Sequence, residues 1–87
     1  MQKLLNKRPM VLEIISPDKK LYEGQVKSIV LPGIDGSFGI LDKHAPLISA
    51  LKKGNIEITV TDSQKETFQV NGGVVEVLNN KVIVLAE

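Results

Sequence analysis

From Ile56 to Thr61 apolar and polar side chains alternate, with Ile56, Ile58 and Val60 set against Glu57, Thr59 and Thr61. A strand sends successive side chains to opposite faces, so this pattern predicts a half-buried β-strand. Residues 67–70 repeat it, with Phe68 and Val70 on one face. The runs 10–15, 26–31, 74–78 and 81–85 are short and rich in Val, Ile and Leu. Periodicity alone does not separate such runs from buried helix. Their shortness and β-branching favour strands. Pro17–Lys20, Asp62–Lys65 and Asn79-Asn80 supply turn residues between the runs, and Asn71-Gly72-Gly73 permits positive φ as a tight turn or a bulge. Turn signals at this spacing predict an all-β sandwich or barrel without substantial helix. Residues 47–53 are expected to be extended, ended by Gly54. Residues 1–9 are expected to form a flexible lead to a single β domain over 10–87. The expected core is Leu12, Ile14, Val30, Ile56, Ile58, Val60, Phe68, Val70, Val77, Val82 and Val84. The face assignment is weakest over 26–31 and 81–85, where both faces are partly apolar.

Composition narrows the function. Eighty-seven residues make one domain. In a domain of this size apolar burial and conformational entropy nearly cancel, so a partner surface that completes the core would help it. The chain has no cysteine, which removes disulfides, thiolate nucleophiles and zinc thiolates. Eleven Lys and Arg against ten Asp and Glu leave no basic footprint for nucleic acid, and one Tyr and two Phe offer few stacking platforms. No apolar run approaches the roughly 20 residues of a membrane span. The start, MQKLLNKRP, is a poor signal peptide because Leu4-Leu5 is its only apolar core. A soluble intracellular protein is expected.

Two stretches invite a chemical reading. Gly33, Gly36 and Gly39 make residues 32–40 the densest glycine segment. Their spacing matches neither a Walker loop nor a dinucleotide fingerprint, and no helix N-terminus follows to hold a phosphate. A tight connection between two strands explains them. His44 is the only histidine. Its candidate companions for general-base work, Asp35, Ser37, Asp42 and Ser49, lie in one local segment, whereas triad members usually come from separate parts of a fold. One imidazole without thiols falls short of a zinc set. The expected roles of His44 are to hydrogen-bond loop backbone, to orient the Ala45-Pro46 turn, or to touch a partner.

The segments GSFGILDKHAPLISALKKG (36–54) and FQVNGGVVEVLNNKVIVLAE (68–87) resemble the epsilon subunit family of the F-type ATP synthase. The family pattern Gly-x-x-Gly-Ile-x-x-x-His-Ala-Pro-Leu, a later Gly, Gly-Gly-x-x-Glu-Val and a closing Val-x-Val-Leu-Ala is present in order. Residues 12–33 resemble the family opening, a strand, a Ser-Pro turn, LYEG and a second strand.

The resemblance implies an antiparallel β-sandwich of about ten short strands. It also implies a non-catalytic central-stalk subunit that binds the gamma subunit and rests on the membrane c-ring, so that ion flow, of protons or sodium, is coupled to ATP synthesis in the alpha/beta head. No cofactor, metal, nucleic acid or membrane insertion is implied. The location implied is peripheral, on the cytoplasmic face of the bacterial inner membrane. Carried over by position, Ser16, His44 and Ser49 face gamma, and Asp35, Gly36, Ser37 and Phe38 face the c-ring. Ser37 stands where the family often has an acidic residue, and Asp35 is the substitute. The helical hairpin that usually follows the sandwich has no counterpart before Glu87, so no hairpin-type inhibition is expected of these residues. A stand-alone ligand-binding sandwich is the alternative, disfavoured by three aromatics in the whole chain. A small hydrolase using His44 is a second.

Overall fold

The computed structural model of the chain describes residues 9–87. The expected flexible lead over 1–9 therefore lies, apart from Pro9, outside the described residues. Nine strands follow one another without helix among these residues: β1 (Val11–Ile15), β2 (Lys20–Gln25), β3 (Ser28–Gly33), β4 (Gly36–Leu41), β5 (Leu47–Leu51), β6 (Gly54–Thr61), β7 (Gln64–Val70), β8 (Gly73–Leu78) and β9 (Lys81–Ala86). The all-β architecture is the expected one, with nine strands in place of about ten. Of the 47–53 segment, residues 47–51 are extended as the pattern predicted, and Lys52-Lys53 bend into β6.

The strands form one hydrogen-bonded path, β2-β1-β9-β8-β5-β3-β6-β7, with β4 on the free side of β3. This path curls into two layers. The layer β2-β1-β9-β8-β5 joins the layer β4-β3-β6-β7 through a single ladder pair, Gly33 with Leu51. At the far ends of the path Tyr22 on β2 meets Phe68 on β7 edge-to-face, with ring centroids 5.8 Å apart. That contact brings the two edge strands together and limits the exposed edge a sheet otherwise presents. One ladder departs from the antiparallel rule: β1 and β9 run parallel, Leu12 beside Val82 and Ile14 beside Val84. These are the first and last strands among the described residues, so no hairpin dictates their sense.

The core lies between the layers. Leu12, Ile14, Ile56, Ile58, Val70, Val77, Val82 and Val84 are buried as expected, together with Met10, Val26, Ile29, Leu31, Ile40, Leu51, Val75 and Ala86. Val60 and Phe68 are half-buried against them. Val30 is a correction: it is 40% exposed because Ile29 and Leu31 take the inner face of β3. The period of two was read correctly there and the phase was not.

Turns follow the residue chemistry. The β8–β9 hairpin turns at Asn79 and Asn80, with φ of 51° and 64°, the pair of positive angles that a two-residue hairpin favours. Gly73 has φ of 148°, and a Cβ there would run into the Leu85 carbonyl oxygen of β9. Glycine at this position lets β8 approach β9 closely. Ser16 closes the β1–β2 turn: its hydroxyl donates to Lys19 O at 3.0 Å and accepts from Lys19 N at 3.2 Å.

Candidate partner-binding surfaces

The glycine-rich segment 32–40 is a hairpin. Pro32 pairs with Ser37 and Gly33 with Gly36, leaving Ile34 and Asp35 as the two turn residues. Gly36 has φ of 130°, a conformation that glycine adopts freely. Asp35, Gly36 and Ser37 are exposed at this tip, beside an exposed Ile34. Phe38 differs, since its ring is half-buried against the core. Ser49 lines a shallow groove with Gly33, Asp35, Ser37 and Phe38. The structure thus brings Ser49 beside the hairpin tip.

His44 lies elsewhere. It sits in the loop 42–46, which carries the chain from β4 in one layer to β5 in the other. Its Nδ1 is 2.7 Å from the Ala45 carbonyl oxygen, and its backbone N–H donates to Leu41 O at 3.1 Å. The imidazole hydrogen-bonds loop backbone, as its sequence setting suggested. Among the described residues no carboxylate or serine hydroxyl is its hydrogen-bond partner. No cluster of three or more His, Cys, Asp or Glu residues suited to a metal occurs among the described residues.

Ser16 and His44 lie toward opposite ends of the layer β2-β1-β9-β8-β5. Ile15, just before Ser16, aligns through Leu85 and Val74 with Ala50 near the end of β5, whereas His44 precedes the start of β5. Ser16, His44 and Ser49 therefore do not converge on one spot.

The outer face between them is apolar. Ile48 and Ala50 of β5, Val74 and Leu78 of β8, Ile83 and Leu85 of β9, and Val11 and Ile15 of β1 occupy its outward positions. Ile48 is 73% exposed and Leu85 55%. Three charged residues share the face: Glu76, exposed between Ile48 and Ile83, Glu13, between Val11 and Ile15 and beside Ile83, and Lys81, beside Val11 and Leu78. In the opposite layer β6 and β7 present Asn55, Glu57, Lys65, Thr67 and Gln69 outward, the polar exterior expected of a half-buried sheet, while β3 and β4 expose Val30 and Leu41. A contiguous apolar face rimmed by polar residues marks an interaction surface. Sequence reading missed it. The runs 74–78 and 81–85 showed apolar residues of both phases, but only strand order makes their outer members neighbours.

Ion pairing at the β1 margin of this face extends onto β2. Lys20 Nζ contacts Glu13 at 2.8 Å and Glu23 at 2.9 Å across β1 and β2. The hydrogen bond from Lys20 holds the Glu13 carboxyl below its ordinary value, and the two carboxylates raise the Lys20 ammonium. Lys27 likewise lowers Asp62 through a 2.9 Å contact.

Comparison with known proteins gives a consistent result. The family model described as ATP synthase, Delta/Epsilon chain, beta-sandwich domain matches residues 9–87. The ATP synthase epsilon chain of Chlorobium limicola is 43% identical over 76 residues, covering 87% of this chain and 86% of that one. The epsilon chain of Nitratiruptor sp. is 46% identical over 76 residues, which is 59% of its length. Among solved structures, a chain from the central stalk/c-ring of the Tetrahymena thermophila mitochondrial ATP synthase superposes with a TM-score of 0.79 over 92% of this chain and 64% of its own, at 20% identity. A chain of the Euglena gracilis mitochondrial ATP synthase gives 0.84 over 92% of this chain and 51% of its own. At 20% identity these likenesses concern the fold.

Proposed function

Because the chain belongs to the Delta/Epsilon family of ATP synthase subunits, we propose that it is a central-stalk rotor subunit that links gamma to the c-ring and contributes binding rather than chemistry. The observation that carries this reading is the apolar outer face of β5, β8, β9 and β1. A domain of 87 residues that leaves four strands of apolar side chains outside gains stability when a partner covers them. In this reading gamma seats on that face. Ser16 and His44 lie at its two ends and meet the margins of the partner. Ser49 is turned toward the hairpin groove and belongs with the second contact.

That second contact is the hairpin tip. Asp35, Gly36 and Ser37 project from the β3–β4 turn, and in this reading they meet polar loops of the c-ring. Asp35 supplies the carboxylate there, and Phe38 braces the hairpin from the core side. The two contacts make the chain a spacer between ring and gamma. Ion flow, of protons or sodium, then turns all three together, and the alpha/beta head is reached only through gamma. The subunit lies peripherally on the cytoplasmic face of the bacterial inner membrane. Among the described residues no helix is long and apolar enough to cross a membrane.

The test is reconstitution. The chain is mixed with the gamma subunit of the same synthase, and then with catalytic head and c-ring membranes depleted of epsilon. Co-elution with gamma and restored ion-driven ATP synthesis are the expected results. Failure to bind gamma at micromolar concentration overturns the reading.

A further inference from the structure

One side chain ties the loop bearing His44 to a distant part of the chain. Asn80, in the β8–β9 turn, accepts a hydrogen bond from Lys43 N at its Oδ1 (2.7 Å) and donates from its Nδ2 to Asp42 Oδ1 (2.6 Å). Its backbone carbonyl accepts from Val11 N at 3.1 Å, at the start of β1. One residue thus joins the β8–β9 turn, the entry to β1 and the crossing between the two layers. The loop it holds has an uncommon shape. Lys43 has φ of 65°, a left-handed conformation that lysine disfavours. Such conformations persist where surrounding contacts over-determine them, and they cluster at functional positions. The next residue is His44, and an exposed Leu41 precedes the loop.

We propose that Asn80 is a positioning residue that holds the Asp42–His44 loop in the shape a partner meets, on the premise that the chain binds gamma. Asn80 need not touch the partner. It acts through the Lys43 amide and the Asp42 carboxylate, and so fixes where the His44 imidazole and the Leu41 side chain are presented.

The chemistry permits an exchange test. Asn80→Asp removes the donor to Asp42 and sets two carboxylates against each other; an acceptor for Lys43 N remains, but the repulsion pushes the loop away from it. The double variant Asp42→Asn/Asn80→Asp puts the donor at position 42 and the acceptor at 80. The introduced carboxylate then accepts from both the new amide and Lys43 N, and the bonds are rebuilt. For each variant three quantities are measured: thermal midpoint, hydrogen exchange at the Lys43 amide with the NMR shifts of the His44 ring, and the Kd for gamma. The expected result for Asn80→Asp is loss of Lys43 amide protection, a shifted His44 ring and gamma binding weakened by more than about twofold in a folded protein. The exchanged pair restores all three. If the amide and ring are unchanged in Asn80→Asp, or if they change while gamma binding stays within twofold, the proposal is overturned. Should Asn80→Asp fail to fold, the same readouts on Asn80→Ser, which shortens the side chain without adding charge, decide in the same way. A wild-type chain that does not bind gamma refutes instead the stalk reading on which the proposal rests.

Discussion

Gly73 and Glu13 show how single residues constrain this molecule in different ways. Gly73 has a φ that L side chains rarely adopt, and its missing Cβ leaves space for the Leu85 carbonyl. Gly73→Ala is therefore expected to cost at least about 2 kcal/mol in a urea titration, from backbone strain and displacement of β9. The need for positive φ was legible in Asn71-Gly72-Gly73. The Asn80 clamp was not, because its partners are 37 and 38 residues away in sequence. Glu13 acts through charge. Its folded carboxyl lies below the ordinary 4.5, so its pairing with Lys20 adds stability above pH 4.5 that is lost as pH falls through the folded value. Lys20 is raised above its ordinary 10.5, so its share is present throughout the neutral range and is lost only in strong base. Lys20→Gln is accordingly expected to lower stability slightly at pH 7 and by less at pH 3, because the Glu13 share is lost as pH falls through its folded value. Denaturation midpoints at the two pH values check this. The effect is small because exposed ion pairs are screened.

At the level of strands, alternation predicted existence and type, and its phase depended on which face was the richer. In β6 the two faces differ sharply, and Ile56 and Ile58 are buried as expected. In β3 the residues Ile29, Val30 and Leu31 are all apolar, so local pattern gave no reason to choose, and Val30 turned outward. Substitution separates the two faces. Ile29→Ala is expected to cost about 2 to 5 kcal/mol, the range for large-to-small changes in a packed core. Val30→Ala is expected to stay within roughly 1 kcal/mol, since its neighbours are Gly39 and Glu57 on an open surface. Equal losses at both sites, read from chemical denaturation, would contradict the phase described here. The parallel pairing of β1 with β9 was also beyond local reading. It depends on how two strands far apart in sequence meet, and neither strand contains information about that.

At the level of the whole molecule, the two layers share one core and differ in their exteriors. In the β4-β3-β6-β7 layer β6 and β7 present polar side chains outward, with Val30 and Leu41 exposed on β3 and β4, whereas apolar residues run across four strands of the other layer. His44 and the hairpin tip were legible as candidate contacts from their motifs, yet the broad apolar face between Ser16 and His44 emerged only from strand order. That face makes a separable prediction. Ile48 and Leu85 are exposed, so replacing either with Glu removes little native packing, and the thermal midpoint of the isolated chain is expected to change by no more than a few degrees. Binding is expected to behave otherwise. Covering a leucine or isoleucine side chain is worth about 1.5 to 3 kcal/mol, and a carboxylate buried without a partner costs more. Ile48→Glu and Leu85→Glu should therefore each weaken gamma binding by more than about tenfold, since every 1.4 kcal/mol is a factor of ten. Thr67→Glu on the polar layer should leave it unchanged. Titration of gamma with the three variants, with circular dichroism to verify the folds, distinguishes the faces. If Thr67→Glu weakens binding and the two apolar-face variants do not, gamma seats on the other layer.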